Sequence, residues 1–236
     1  MVDFSLDLAL VAGVSGLLSL DRRAAFQFMA SQPLVAVSLL GFIFNETALG
    51  LMLGAYLQLL WMSCVLFGSN VPRNDTLASV TIAGAVFLYG RHVGEIDPAI
   101  WCLAILIGAP ICIAGQWLDI KLDHLNLGLA TQADEAAQTG DTRKIAFLIF
   151  LALIRTFFAN SSATAVFTAS MLYLLTGLQG VLTANWTDVL GVIGLYLIPS
   201  LGIAVALSML RHRRGIVLAS ITFAVVAAIL TQGYSA

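Results

Sequence analysis

The sequence predicts an all-α polytopic membrane protein with several transmembrane helices and broken or re-entrant segments. Three observations carry that reading. First, 60% of the 236 residues are hydrophobic and only 10% are charged, against roughly 45–50% and about 25% in a soluble domain. Second, the charges are clumped: none interrupts the 32 positions between Arg155 and Asp188, and 99–118, 189–210 and 215–236 are also charge-free. Third, the apolar runs are uneven in length, and several are cut by polar residues where a simple span would continue.

Taken in order, segment 4–20 is a short crossing that stops at Asp21-Arg22-Arg23. Asp3 and Asp7 precede it where a signal peptide carries Lys or Arg, so the segment is expected to be retained. Between 33 and 89 the pattern breaks into 33–44, 50–67 and 77–89, separated by Asn45-Glu46-Thr47 and by the polar run 69–76. The first and last pieces fall short of the roughly 20 residues needed to cross the hydrocarbon core. Segments 98–118, 189–210 and 215–232 are long enough, and so is 164–184 if its polar residues face protein. Residues 145–163 repeat the interrupted theme, with Arg155 and then Asn160-Ser161-Ser162 inside an apolar run.

An interruption in lipid has a physical meaning. Unpaired backbone amides cost several kcal/mol there, so irregular backbone survives only inside protein or beside a wet cavity. Broken helices are where transporters place their sites. For 69–76 an ordinary aqueous loop is the competing reading.

Residues 119–144 form the one long polar stretch, rich in helix formers and restarted at Thr139-Gly140-Asp141. Leu118, Leu122, Leu125 and Leu129 recur in it at helical spacing, so it is either a solvated connector or a face for membrane or partner. Placing Arg22-Arg23, 121–144 and Arg211–Arg214 in the cytoplasm puts the N-terminus outside. It leaves an even number of crossings between 23 and 118 and makes 145–163 partly re-entrant. The whole of 1–236 reads as one membrane-embedded domain with 119–144 as its cytoplasmic connector.

A net charge of −2 without a basic stripe argues against nucleic-acid binding. Cys64, Cys102 and Cys112 lack metal-ligand spacing. His92, His124 and His212 lie in polar connectors without a nucleophile or ligand partner. No catalytic residue, metal or cofactor is therefore expected.

Polar groups inside apolar segments are the better guide, because burying them is expensive. Gly50, Gly54 and Gln58 share a helical face, and Trp61 follows one turn on. Two small residues, an amide and an indole suit a neutral sugar, and they suit a helix-packing seam as well. Asn70, Asn74, Asp75 and Thr76 concentrate hydrogen-bonding groups beyond that helix, and Asp75 or Thr76 is placed to cap the helix from Leu77. Arg155, alone in its run, needs a structural partner or a substrate.

Several of these segments resemble a known family. Phe26-Gln27-Phe28, Gln32-Pro33-Leu34-Val35-Ala36 and Leu39-Leu40-Gly41, then the Gly50–Trp61 helix and the turn Gly68–Ser79, resemble the membrane C component (IIC) of mannose/fructose/sorbose-family phosphotransferase systems. The Ala133-Asp134-Glu135-Ala136-Ala137…Gly140-Asp141 segment is similar too. The resemblance implies a multi-pass protein of the bacterial plasma (inner) membrane. It implies a sugar-translocating unit shared with a membrane D component, in a homo- or hetero-oligomer. Soluble A and B components relay phosphate from phosphoenolpyruvate, and B phosphorylates the sugar as it is released inside. The C component is not itself phosphorylated. Gln27, Gln58 and the Asn70–Asp75 turn match the substrate-facing motif, although Gln58 stands where the family usually has Glu and Arg73-Asn74 replaces a second Pro. The expected substrate-binding set is thus Gln27, Gln58, Trp61, Asn70, Asn74, Asp75 and Thr76. The competing functions are a stand-alone secondary transporter using Arg155 as counter-ion, and a non-transporting scaffold or sensor.

Overall fold

The computed structural model describes residues 2–25, 27–62 and 71–208, with isolated positions 217, 220 and 221. Asn70, Cys64, His212, the Arg211–Arg214 cluster and most of the 215–232 span lie outside the described residues. The helices are α1 (Val2–Arg23), α2 (Pro33–Ile43), α3 (Thr47–Trp61), α4 (Asp75–His92), α5 (Pro98–Gly108), α6 (Ile111–Gln138), α7 (Thr142–Gln179), α8 (Ala184–Val192) and α9 (Ile198–Ser208). A π-helical turn, Ile193–Leu197, joins the last two just ahead of Pro199, whose missing N–H interrupts the ladder.

α4 is the hub. Every residue from Thr76 to Tyr89 is buried, the signature of a helix enclosed on all sides. Its ends complement its dipole, with Asp75 in the first turn and Arg91 and His92 in the last. α1 lies antiparallel to it: Asp7 meets Arg91 at 3.1 Å and His92 at 2.8 Å, while Arg22 meets Asp75 at 3.3 Å. These two ion clusters sit about 22 Å apart along α1 at 1.5 Å per residue, so the pair is pinned at both ends.

α2 and α3 form a tight helical hairpin. Pro33 opens α2 where no amide is required, and Asn45 turns the chain at φ 61°. The seam is glycine: a Cβ on Gly41 would stand 2.7 Å from the Gly50 Cα, and one on Gly54 would stand 2.9 Å from the Leu34 carbonyl. At about 16 and 22 Å, neither helix crosses a roughly 30 Å core. The hairpin is the first part of the break expected between 33 and 89.

Segment 98–118 is long enough to cross as a bent pair, with α5 and α6 meeting at a 40° bend beside Pro110. One expectation needs correction: residues 145–163 do not turn back at all. α7 runs unbroken for 38 residues, and several of its polar side chains bond carbonyls of their own helix. The Asn160 amide donates to the Thr156 carbonyl at 3.0 Å and the Ser162 hydroxyl to Ala159 at 3.1 Å. The polar connector is helical too, interrupted only at Thr139–Asp141, where Gly140 takes φ 71°. There Leu122 and Leu129 are buried while Leu125 is exposed. Three described helices are long and apolar enough to cross a membrane: Asp3–Arg23, Thr142–Gln179 and Ala184–Leu207. The bent pair makes a fourth if it counts as one span.

Candidate functional site

The site is built where three breaks in the chain converge: the 24–32 loop after α1, the C-terminal end of α3, and the turn into α4. The loop is shaped by a carboxylate. Asp21, in the last turn of α1, accepts from the Phe28 amide at 2.6 Å and the Ser31 amide at 2.9 Å. That wrapping holds Gln27 and Met29 at φ 52° and 64°, a conformation uncommon outside glycine. The Thr76 hydroxyl donates to the Ser31 carbonyl at 2.9 Å and ties the loop to α4.

From α3, the Gln58 amide reaches back over the hairpin. Its Nε2 donates to Gln32 Oε1 at 3.0 Å, and its Oε1 accepts from the Leu34 amide at 3.3 Å. Leu34 lies in the first turn of α2, so Gln58 fills one of the donors that a helix start leaves free. Gly50 and Gly54 are therefore the packing seam, and Gln58 at its end is what reaches the cavity.

The third wall is ionic. Each guanidinium nitrogen of Arg22 has a partner: Nε pairs with Asp75 at 3.3 Å, Nη1 with Asp119 at 2.8 Å, and Nη2 donates to the Arg73 carbonyl at 2.7 Å. Asp119, only 2% exposed, also takes Arg23 at 3.5 Å. The Asn74 amide reaches it at 3.1 Å. The turn is anchored on α6, where the Asn74 backbone amide donates to the Cys112 carbonyl at 3.0 Å.

These walls enclose a cavity of about 540 Å³, within the range of small-molecule sites. Its polar lining comes from Asp21, Arg22, Gln27, Ser31, Gln32, Gln58, Asp75 and Thr76, and its apolar lining from Met29, Met62, Pro72 and the face of Trp61. The buried Trp61 Nε1 has no hydrogen-bond partner among the described residues. The arrangement offers amides, carboxylates, hydroxyls and an indole, which is chemistry for holding hydroxyl groups against an apolar ring face. Among the described residues, no His, Cys, Asp and Glu side chains cluster to hold a metal ion.

Gln27, Gln58, Trp61, Asp75 and Thr76 line this one cavity. Asn74 does not. Its Oδ1 accepts from the Leu77 amide at 2.9 Å, so Asn74 is the cap of α4 that had been expected of Asp75 or Thr76. Close packing against Gly115 holds it there. Asn70 falls outside the described residues. Arg155 is exposed and donates to the Leu125 carbonyl at 3.4 Å, binding α7 to α6 away from the cavity. Sequence reasoning missed Asp21, Arg22, Ser31, Gln32 and Asp119. Arg22 had served only as an orientation marker, and its partner lies 97 positions on.

Comparison with known proteins agrees with this architecture. The family described as "PTS system sorbose-specific iic component" matches residues 6–233. The mannose-specific EIIC component of Escherichia coli K12 is 24% identical over 208 residues, covering 86% of this chain and 71% of that protein. The sorbose-specific EIIC component of Lacticaseibacillus casei is 28% identical over 128 residues, 54% of this chain and 43% of that one. The fructose permease IIC component of Bacillus subtilis is 24% identical over 147 residues, 62% and 50% respectively. A solved structure described only as that of a membrane protein superposes with a TM-score of 0.70 at 20% identity, covering 97% of this chain and 94% of the other. The cryo-EM structure of the mannose transporter ManYZ with microcin E492 superposes with a TM-score of 0.59 at 20% identity, covering 99% and 95%. With the matched region spanning nearly the whole sequence, this chain belongs to the sorbose-type IIC family of phosphotransferase-system membrane components.

Proposed function

We propose that the chain binds a hexose or related sugar in the cavity between the 24–32 loop, Gln58 and Asp75, and delivers it across the membrane for phosphorylation by a separate B component. One observation supports this above others: five residues singled out from sequence, drawn from positions 27 to 76, line a single cavity of about 540 Å³. Asp75 supplies the charge-assisted acceptor for a hydroxyl, and such bonds are roughly twice as strong as neutral ones. Gln58 and Gln27 supply amide donors and acceptors, while the Trp61 indole adds apolar surface to the lining.

In this reading residues 1–236 act as one permease domain of the bacterial inner membrane. A membrane D component completes the translocating unit, as the ManYZ neighbour suggests, and soluble A and B components bring the phosphate. The similarity to mannose, sorbose and fructose components supports a neutral hexose as the substrate class.

The test is uptake of radiolabelled mannose, fructose and sorbose by cells carrying the assembled complex. Asp75→Asn and Gln58→Ala are each expected to abolish uptake while the chain still inserts and is recovered in the membrane fraction. Unchanged uptake in both variants overturns the site.

A further inference from the structure

Resting on that reading, we infer that Arg22 donates to a sugar hydroxyl, and that Asp119, which does not line the cavity, is the residue that positions it. Arg22 lines the cavity, and a guanidinium carries five N–H donors in a fixed fork. Three of them are assigned: Nε–H faces Asp75, one Nη1–H goes to Asp119, and one Nη2–H goes to the Arg73 carbonyl. That leaves one N–H on Nη1 and one on Nη2 without a partner among the described residues. With the side chain only 11% exposed, little water competes for them. A hydroxyl suits the place, because it accepts from such a donor and gives its own proton to a carboxylate. Asp75 stands 3.3 Å from Arg22, so the wall offers a donor and an acceptor side by side. That pairing fits two neighbouring hydroxyls of one ring.

The arrangement depends on Asp119. An arginine and a carboxylate left to themselves commonly close in bidentate fashion. Arg22 closed in that way on Asp75 would occupy the acceptor and turn its own donors away from the cavity. The distances show the opposite lean: 2.8 Å to Asp119 and 2.7 Å to the Arg73 carbonyl, against 3.3 Å to Asp75. Asp119 also accepts from the Asn74 amide at 3.1 Å, and Asn74 caps the helix that Asp75 begins. One buried carboxylate on α6 thus fixes both the cation and the turn that together present the pair. The two spare donors point the same way before a sugar arrives, which lowers the ordering cost of binding it.

The experiment is equilibrium binding to the full chain in lipid nanodiscs, with its co-purifying membrane subunit. The probes are mannose, fructose and sorbose, then the monodeoxy and deoxyfluoro analogues of whichever binds most tightly. In the wild type, deleting the hydroxyl that meets Arg22 should cost about tenfold in affinity, as expected for a hydrogen bond to a charged group. Fluorine accepts but cannot donate. The deoxyfluoro sugar should therefore recover part of the loss at that position, and none of it at the hydroxyl facing Asp75. Arg22→Lys keeps the charge that the two carboxylates need, but a compact ammonium held between them has no fork to extend into the cavity. It should bind the parent sugar about tenfold more weakly, and the deoxy analogue at that one position as the wild type does. Asp119→Asn should erase the same preference together with that at the Asp75 hydroxyl, while the other positions keep theirs. Asp119→Glu should restore most of both. If none of the sugars binds, the sugar reading fails and this inference with it. If a sugar binds but Arg22→Lys weakens every analogue alike, or none, the sugar reading stands and the part given to Arg22 is overturned. An Asp119→Asn protein that keeps both preferences, or loses affinity for every analogue alike, refutes the positioning. The wild type decides even if neither variant folds: should each deoxyfluoro sugar bind as poorly as its deoxy counterpart, the cavity gives the ring no donor and the inference falls.

Discussion

Two stretches of this protein carry the same outward sign, polar residues inside an apolar run, and fold in opposite ways. Residues 33–61 break into two short helices, while residues 142–179 form one rod. The difference lies in what the polar or small residue does to the backbone. In the hairpin, Asn45 takes a left-handed conformation at φ 61°, and Gly41, Gly50 and Gly54 let main chains touch. In α7, Asn160 and Ser162 bond carbonyls of their own helix, and the ladder continues past them. Polarity alone does not break a helix in lipid; loss of a backbone donor or a reversal of φ does.

That comparison can be broken by substitution. Gly50→Val should have the largest effect, because its Cβ would stand 2.8 Å from the Gly41 Cα and neither main chain can retreat. Overpacking of this kind costs about 3 kcal/mol. The expected result is loss of a monodisperse species on size exclusion in mild detergent. If Gly50→Val runs as the wild type does, the seam is looser than its geometry implies.

Gly16→Ala should do less. Its Cβ would run into the Ser161 hydroxyl and would also stand 2.7 Å from the Phe157 ring. Both are the ends of side chains on α7, and both can rotate. A cost of about 1–2 kcal/mol is expected, read as a lower thermal midpoint with binding retained. A Gly16→Ala loss as large as that of Gly50→Val would show that α1 and α7 pack with no more freedom than the hairpin.

The smallest effect belongs to Asn160→Ala. Asn160 is 1% exposed, its Nδ2 bonds within the helix, and its Oδ1 has no partner. Replacing a half-satisfied buried amide with a methyl should change stability by less than about 1 kcal/mol. Amide hydrogen exchange over 156–164 should stay as slow as in the rest of α7, in wild type and variant alike. Fast exchange there would mean the rod is broken after all.

Much of the cavity was legible in advance for the same reason that the hairpin was. Gln58 and Trp61 announce themselves by spacing, and Asp75 and Thr76 by crowding in a polar turn. Asn74 looked like its neighbours in composition, yet one backbone amide, that of Leu77, made it a cap instead of a wall. Arg22 looked like a topology signal, and only its three partners reveal a structural cation. Proximity along the chain suggested candidates, but it could not assign each side chain its hydrogen bonds.

By itself the sequence determined that this is a helical membrane protein with a broken first half and a sugar-transport family pattern. Hydropathy, charge clumping and residue spacing are local properties, and burial in lipid makes each of them costly to violate. The tertiary structure alone decided that α7 continues through its polar residues, that α4 is the enclosed hub, and that Asp21 and Arg22 line the cavity with Asp119 paired behind them. Those outcomes depend on which helix faces which. That choice is set by packing and charge pairing between residues far apart in the chain, such as Arg22 and Asp119, and no short window of sequence contains both partners.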